Sequence, residues 1–421
     1  MKPLPASTTP ARGRAAPGFL VLLVASGTII SLCMGLRQSL GLFMRPMTLD
    51  LGVSAATFGF SIALQNIVWG LSQPVVGALA DRHGPRPVLI ATSIVYAAGL
   101  LLMVVAGGKP GGLALAGFLT GVGVAGTGFG VLIGTVSRAT PPAARSRTVG
   151  IVAAAGSLGT VVIAPAGQVL IGGLGWRPAM MLFAAVAASL ALVSLAIREP
   201  GHGQGSAAAA TQGLRDALVE AVTHRGYLFM MVAFFACGFQ LVFIATYLPS
   251  YLDLCGVAPG VGATALALIG LFNTIGTYAF GLLGGRFSEK RLLALIYLLR
   301  TLIIVGFLLL PVSAGSALVF ASAMGMLWLG VVPLVTGIIG RVFGLGHFNT
   351  LYGIVFLSHQ LGSFCGALMG GMVFDRFGNY NIGWGALIAV GLAAFLLQWS
   401  MDERPPRRRR EPSAPPLAEP A

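Results

Sequence analysis

This chain spends nearly all of its length in apolar runs of about 20 or more residues, divided by polar gaps. A block of that length is what one helix needs to cross a bilayer core. Lipid offers the backbone no hydrogen-bond partners, so the helix must satisfy its own. The pattern predicts about twelve crossings, at residues 18–44, 53–79, 87–106, 112–137, 146–173, 178–197, 226–250, 260–285, 290–310, 315–341, 348–372 and 381–401. The first block, from Phe19 to Met44, has no A-x-A-like cleavage site after a short apolar stretch. It is therefore expected to stay as a span and not to leave as a signal peptide.

The blocks fall into two similar sets. Pro46-Met47-Thr48-Leu49-Asp50-Leu51-Gly52-Val53-Ser54 reappears as Pro249-Ser250-Tyr251-Leu252-Asp253-Leu254-Cys255-Gly256-Val257-Ala258, with one inserted Cys. The match runs back to Gly35-Leu36-Arg37 opposite Gly238-Phe239-Gln240 and forward to Gly77 opposite Gly281. The expected architecture is an all-α membrane protein whose twelve transmembrane helices form two pseudo-symmetric six-helix bundles, at 18–197 and 226–401. A cytoplasmic linker is expected at 198–225, helix-like from Leu214 to Val222, with disordered tails at 1–17 and 402–421. Repeats of this kind, with a cavity at their interface, are the pattern of secondary transporters. The 60 Gly and 24 Pro, with Pro74, Pro165 and Pro333 inside spans, favour closely packed and kinked helices over a static scaffold.

Composition agrees with the pattern. The chain is 56% hydrophobic and 9% charged, against roughly 25% charged in a soluble domain. Its net charge of +14 raises the question of a nucleic-acid partner, but the basic residues collect beside every second gap. Only Arg45, Lys109, Arg177 and Arg376 fall in the other gaps. That asymmetry is the positive-inside rule; it implies a multi-pass inner (plasma) membrane protein with both termini cytoplasmic and excludes a nucleic-acid role. The Arg407–Arg410 run then either touches anionic lipid headgroups or is simply solvated. Cys33, Cys237, Cys255 and Cys365 are scattered without a C-x-x-C spacing, so no metal or cofactor is expected.

Arg37 and Arg300 are the two basic residues deep inside apolar spans, His359 is the one histidine there, and no Asp or Glu joins them. Placing a charge at that depth costs roughly 2.5 to 3.5 kcal/mol, so it normally faces a partner or a water-filled cavity. With no protein acid available, a substrate anion could supply the counter-charge. Two readings are open for each residue. Arg37 either forks onto an anion or snorkels outward past the span's end. Arg300 either contacts substrate or bonds backbone carbonyls at a broken turn. His359 either titrates with transport or is a structural histidine. Gln65, Asn66 and Asn273 add amides at similar depth, either for cargo or for helix–helix bonds. Trp328 either walls a cavity or packs.

The loop Gly77-Ala78-Leu79-Ala80-Asp81-Arg82-His83-Gly84-Pro85-Arg86 resembles the signature of the major facilitator superfamily, G-x-x-x-D-R/K-x-G-R/K-R/K, with Pro85 as the departure. The resemblance implies that Gly77, Asp81, Arg82, Gly84 and Arg86 latch the two halves in the outward-facing state. The second-half copy, Gly281 to Lys290, lacks the Asp. Within the superfamily the chain is similar to the monocarboxylate and oxalate/formate branch, through Ser39-Leu40-Gly41-Leu42-Phe43 before Leu49-Asp50-Leu51-Gly52-Val53-Ser54, and through Tyr352-Gly353. It departs where that branch carries an eighth-span arginine, since Asn273-Thr274-Ile275-Gly276-Thr277 has no charge. It departs again where Gln38 stands for a first-span lysine.

The resemblance also implies that spans 1 and 7 line the cavity, which puts Arg37, Gln38 and Gln240 there. His359 and Gln360 lie near a substrate position of the eleventh span. The expected site is therefore Arg37, Gln38, Asn66, Gln240, Asn273, His359, Gln360 and Arg300. The expected activity is alternating-access transport of a small organic anion by a monomer, with a co-transported proton or an exchanged anion. An exporter of drug-like metabolites is the alternative, and a non-transporting sensor or scaffold is a further one. The run Gly121-Val122-Gly123-Val124-Ala125-Gly126 matches a dinucleotide fingerprint, but it sits inside an apolar span with no preceding strand. With no converging nucleophile, base or metal cluster, an enzyme is not expected.

Overall fold

The computed structural model describes residues 17–105, 110–140, 142–197, 214–343 and 348–404. Residues 1–16 and 405–421 of the expected tails, the Arg407–Arg410 run among them, and residues 198–213 of the linker lie outside the described residues. Among the described residues, twelve helical segments are long and apolar enough to cross a membrane. Spans 1 to 6 are Gly18–Leu51, Ala55–Ala80, Pro85–Val105, Gly111–Arg138, Gly150–Leu174 and Trp176–Ser194. Spans 7 to 12 are Arg225–Leu254, Pro259–Gly284, Glu289–Leu309, Ala314–Phe343, Thr350–Phe377 and Asn381–Ser400. Their outer surfaces carry exposed apolar side chains such as Leu192, Val319 and Leu309, a surface suited to hydrocarbon.

The duplication is visible in the packing. Spans 1 and 5, 2 and 4, and 3 and 6 pack within the first bundle. Their counterparts 7 and 11, 8 and 10, and 9 and 12 pack within the second. The bundles meet through spans 2 and 11 and through spans 5 and 8, which the same symmetry exchanges.

Three departures from regular helix were not expected from the apolar pattern. Span 1 tightens to a 3-10 turn over Ser39–Phe43 and then continues as helix to Leu51. The tightening falls where Gly41 lies against the Ala245 and Thr246 carbonyls of span 7. Span 4 is broken between Pro110–Thr127 and Phe129–Arg138, and span 10 between Ala314–Leu327 and Val331–Phe343. A break frees carbonyls on one side and amides on the other, and each must find a partner.

The two bundles diverge toward the side that carries the described chain ends. Positions 59 and 77 of span 2 are 18 residues, or five turns, apart and so lie on one line of the helix. A Cβ at Gly59 would sit 2.7 Å from the Ala367 carbonyl oxygen of span 11, while one at Gly77 would meet nothing within 4 Å. Span 11 repeats the contrast: Gly371 would meet the Ala55 carbonyl at 2.5 Å, and Gly353, also 18 residues away, meets nothing. Between the extremes, a Cβ at Gly70 would meet the Gln360 side chain at 3.0 Å. The molecule is closed on the far side and splayed on the termini side.

Polar contacts reinforce the closed side. Asp375, near the end of span 11, accepts the Ala55 and Ala56 amides at the start of span 2, at 2.9 and 2.8 Å. Ser54 caps the same helix by accepting the Thr57 amide at 3.1 Å. Arg45 of span 1 pairs with Asp253 of span 7. Arg177 is also spent on an acid, Asp50, at 2.7 Å.

Candidate substrate site

Arg37 sits where the bundles meet, half-buried, and does not run out to the surface. Its Nη2 donates to the Asn66 Oδ1 of span 2 at 2.5 Å, and its guanidinium carbon lies 4.8 Å from the centre of the Trp69 ring. Asn66 is held in turn by its own amide, which donates to the Ile62 carbonyl at 2.8 Å. The Arg37 Nε is buried without a protein partner, so the fork keeps a donor beside the one given to Asn66. Cation–π contact with Trp69 steadies the charge without neutralising it.

An aromatic path leads from this cation into the other bundle. The Trp69 and Phe356 rings meet edge to face at 5.4 Å, and Phe356 lies parallel to His359 at 6.1 Å. The far flank of His359 is Phe234, at 5.0 Å. His359 Nδ1 is 3.2 Å from Gln360 Oε1, and the Gln360 amide nitrogen is buried without a protein partner. Arg37, Asn66, His359 and Gln360 thus gather at one level between spans 1, 2 and 11. Gln38 is half-buried beside them in sequence, and the Gln65 side chain is buried with neither polar atom partnered.

Three expected site residues are placed differently. Arg300 is fully buried and spends its Nη2 on the Leu327 carbonyl at 2.6 Å and on the Trp328 carbonyl. Its Nη1 lies 3.4 Å from the Cys237 sulfur. These carbonyls are the ones freed by the break in span 10, so the broken-turn alternative describes its geometry. Asn273 serves the other side of that break, accepting the Leu329 amide at 2.9 Å. It also accepts from Thr277 at 3.1 Å and donates to Ser157 across the bundle interface at 2.8 Å. Gln240 is turned into its own bundle, donating to the Leu387 carbonyl of span 12 at 3.1 Å. Buried polar atoms are mostly hydrogen-bonded, and each of these three residues makes at least one of its bonds to backbone, while Arg300 Nε and Gln240 Oε1 are buried without a protein partner. Trp328 is buried at the same break.

At the signature loop, Gly84 takes φ 86°, a conformation glycine adopts freely, and ends the helix of span 2. Arg82 and Arg86 are exposed, and the side chain of Asp81 lies outside what is described. The sequence reading missed Trp69, Gln73 and Asp375. The pair at i and i+4, one turn beyond Asn66, was the available signal for the first two.

Twelve helices in two exchangeable bundles, split around a central polar site, define a carrier-type membrane protein. The sequence matches the Major Facilitator Superfamily over residues 26–354, and the chain belongs to that family of transporters. It is 26% identical over 372 residues to monocarboxylate transporter 13 of Rattus norvegicus, covering 88% of this chain and 84% of the relative. It is 25% identical over 396 residues to the oxalate:formate antiporter of Oxalobacter formigenes, covering 90% and 91%. Among solved structures, a bacterial homologue of the human lysosomal transporter Spinster, inward-facing and unoccupied, superposes with a TM-score of 0.75. That match has 16% identity and covers 92% of this chain and 98% of the other.

Proposed function

We propose that this chain is a secondary active carrier of small organic anions, monocarboxylates and related carboxylates among them, working by alternating access. The observation that carries the reading is Arg37, an intramembrane cation whose described partners are an amide and an indole. All twelve acids of the chain lie at span ends or outside the spans. A half-buried guanidinium without a carboxylate is completed by an anion, and its fork matches a carboxylate with two parallel bonds. Asn66 orients the fork, Trp69 and Phe356 wall it, and Gln38, His359 and Gln360 supply further polar groups. His359 is the group through which a proton could be coupled; exchange of one anion for another needs no titrating side chain.

The same reading sets the protein in the inner membrane with the termini in the cytoplasm. Arg82, Arg86, Arg138, Arg225, Arg286, Lys290, Arg291 and Arg341 follow the termini side, and the far-side Arg45 and Arg177 are paired with acids. The splayed side is then the inward-facing entrance, and the Gly77–Arg86 loop is the latch on that side.

Uptake into proteoliposomes of radiolabelled L-lactate, formate and oxalate, with a labelled amphiphilic cation in parallel, tests the proposal. Wild type should move at least one of the anions, and Arg37→Gln should cut the rate about 100-fold, the scale of a charge-assisted bidentate bond. Unchanged rate and half-saturation in Arg37→Gln would remove Arg37 from the site. Movement of the cation but of no anion would favour the exporter of drug-like metabolites.

A further inference from the structure

The break in span 4 is joined to the cation at Arg37 through Trp69 and through Gln73, a side chain that the transport reading leaves without a role. The Trp69 indole, beneath the guanidinium, donates from Nε1 to the Gln73 Oε1 at 3.0 Å. Gln73 Nε2 donates to the Ala125 carbonyl at 3.2 Å. Ala125 lies in the last turn of Pro110–Thr127, where a helix leaves its final carbonyls without ladder donors. The neighbouring Gly128 amide takes Val124 at 2.8 Å, so the Gln73 amide serves the next carbonyl along. Gly130, just past the break, leaves the room that Gln73 occupies, since a Cβ there would overlap the amide nitrogen.

The second bundle solves the equivalent problem without reference to a ligand. Its break in span 10 is held by Arg300 and Asn273, whose described bonds go to Cys237, Leu327, Trp328, Leu329, Ser157 and Thr277. In the first bundle, one side of the holding amide is instead given to the wall of the anion site.

We propose that Gln73 is a positioning residue for transport. It fixes the Trp69 indole against the Arg37 guanidinium and ties that wall to the break in span 4. A movement of Arg37 onto an anion is thereby passed to the segment Phe129–Arg138. The inference rests on the anion-carrier reading, because it takes Arg37 as the group that meets the cargo.

The test compares Gln73→Met, Trp69→Phe and the double variant with wild type in proteoliposomes exchanging L-lactate or oxalate. Gln73→Met should keep the half-saturation concentration within about twofold and lose about tenfold in maximal exchange rate, the worth of one buried hydrogen bond. The double variant should lose no more than Trp69→Phe, since both cut one chain. Losses that multiply to about 100-fold would overturn the proposal, as would a raised half-saturation concentration with an unchanged maximal rate. Fluorescence supplies a readout that needs no cargo. Subtracting the Trp69→Phe spectrum isolates Trp69 among the five tryptophans. Its emission should shift in Gln73→Met and return in Gln73→Glu, which keeps an acceptor for the indole. If wild type exchanges neither anion and takes up no formate, the anion reading fails by itself. The emission then decides the positioning role, and an unshifted band in Gln73→Met overturns it.

Discussion

The two ends of the seam between spans 2 and 11 are built on the same glycine lines yet behave as opposites. At the far end, Gly59 and Gly371 let backbone touch backbone, and Asp375 closes the gap by taking two amides of the facing helix. At the termini end, Gly77 and Gly353 face open space. Small residues at both ends give both ends the capacity for close approach, and only one uses it here. Under the proposed alternating access, closure is a matter of state, because such a carrier needs two seams of similar strength that cannot be closed together.

Four substitutions break or sharpen this contrast. The largest effect is expected from Gly59→Leu, whose Cβ would stand 2.7 Å from a backbone oxygen that cannot give way. It should cost about 3 kcal/mol of the far-side-closed state and lower the thermal midpoint of the detergent-purified protein. Gly77→Leu, its partner five turns on, should leave that midpoint within about 1 °C. Because it blocks the seam that must close next, it should still slow transport about tenfold or more. Full activity with an unchanged midpoint would show that the termini-side seam never closes at Gly77.

Asp375→Asn keeps one acceptor but removes the charge from the N-terminus of span 2. A loss of about 1 kcal/mol is expected, close to a fivefold shift toward far-side-open molecules. Faster maleimide labelling of a cysteine introduced at Ala56, above the Cys255 background, reads that shift. Arg45→Gln should do least. Its pair with Asp253 has side chains 47% and 31% exposed, which limits it to about 0.2–1 kcal/mol. Its effect on labelling should vanish in high salt, where surface pairs are screened.

The twelve spans were legible because the bilayer imposes a length on every crossing, and the repeat at Asp50 and Asp253 made the two bundles legible too. Arg37 stood out for the same reason, as a charge where charge is costly. Gln240 shows the limit of that reading. It occupies the position matching Arg37 and an equally apolar helix, yet it serves the Leu387 carbonyl. In a membrane bundle, lipid-facing, cavity-facing and bundle-facing sides are all apolar, so periodicity does not tell which way a polar residue turns. The breaks in spans 4 and 10 were hidden among many helical glycines. Asp375 reads as an ordinary end-of-span acid until the facing helix N-terminus is seen. Trp69 and Gln73 carry no pattern apart from their spacing.

The central claim is that an anion completes Arg37. It is tested most directly by the thermal midpoint of detergent-purified wild type and Arg37→Gln with L-lactate, formate or oxalate near 100 times its dissociation constant, and with choline as the cationic control. A ligand that binds only the folded state adds about 2.7 kcal/mol under those conditions. The account predicts a rise of a few degrees in wild type with at least one anion, none in Arg37→Gln, and none with choline. An equal rise in both proteins, or a rise with choline alone, would contradict it.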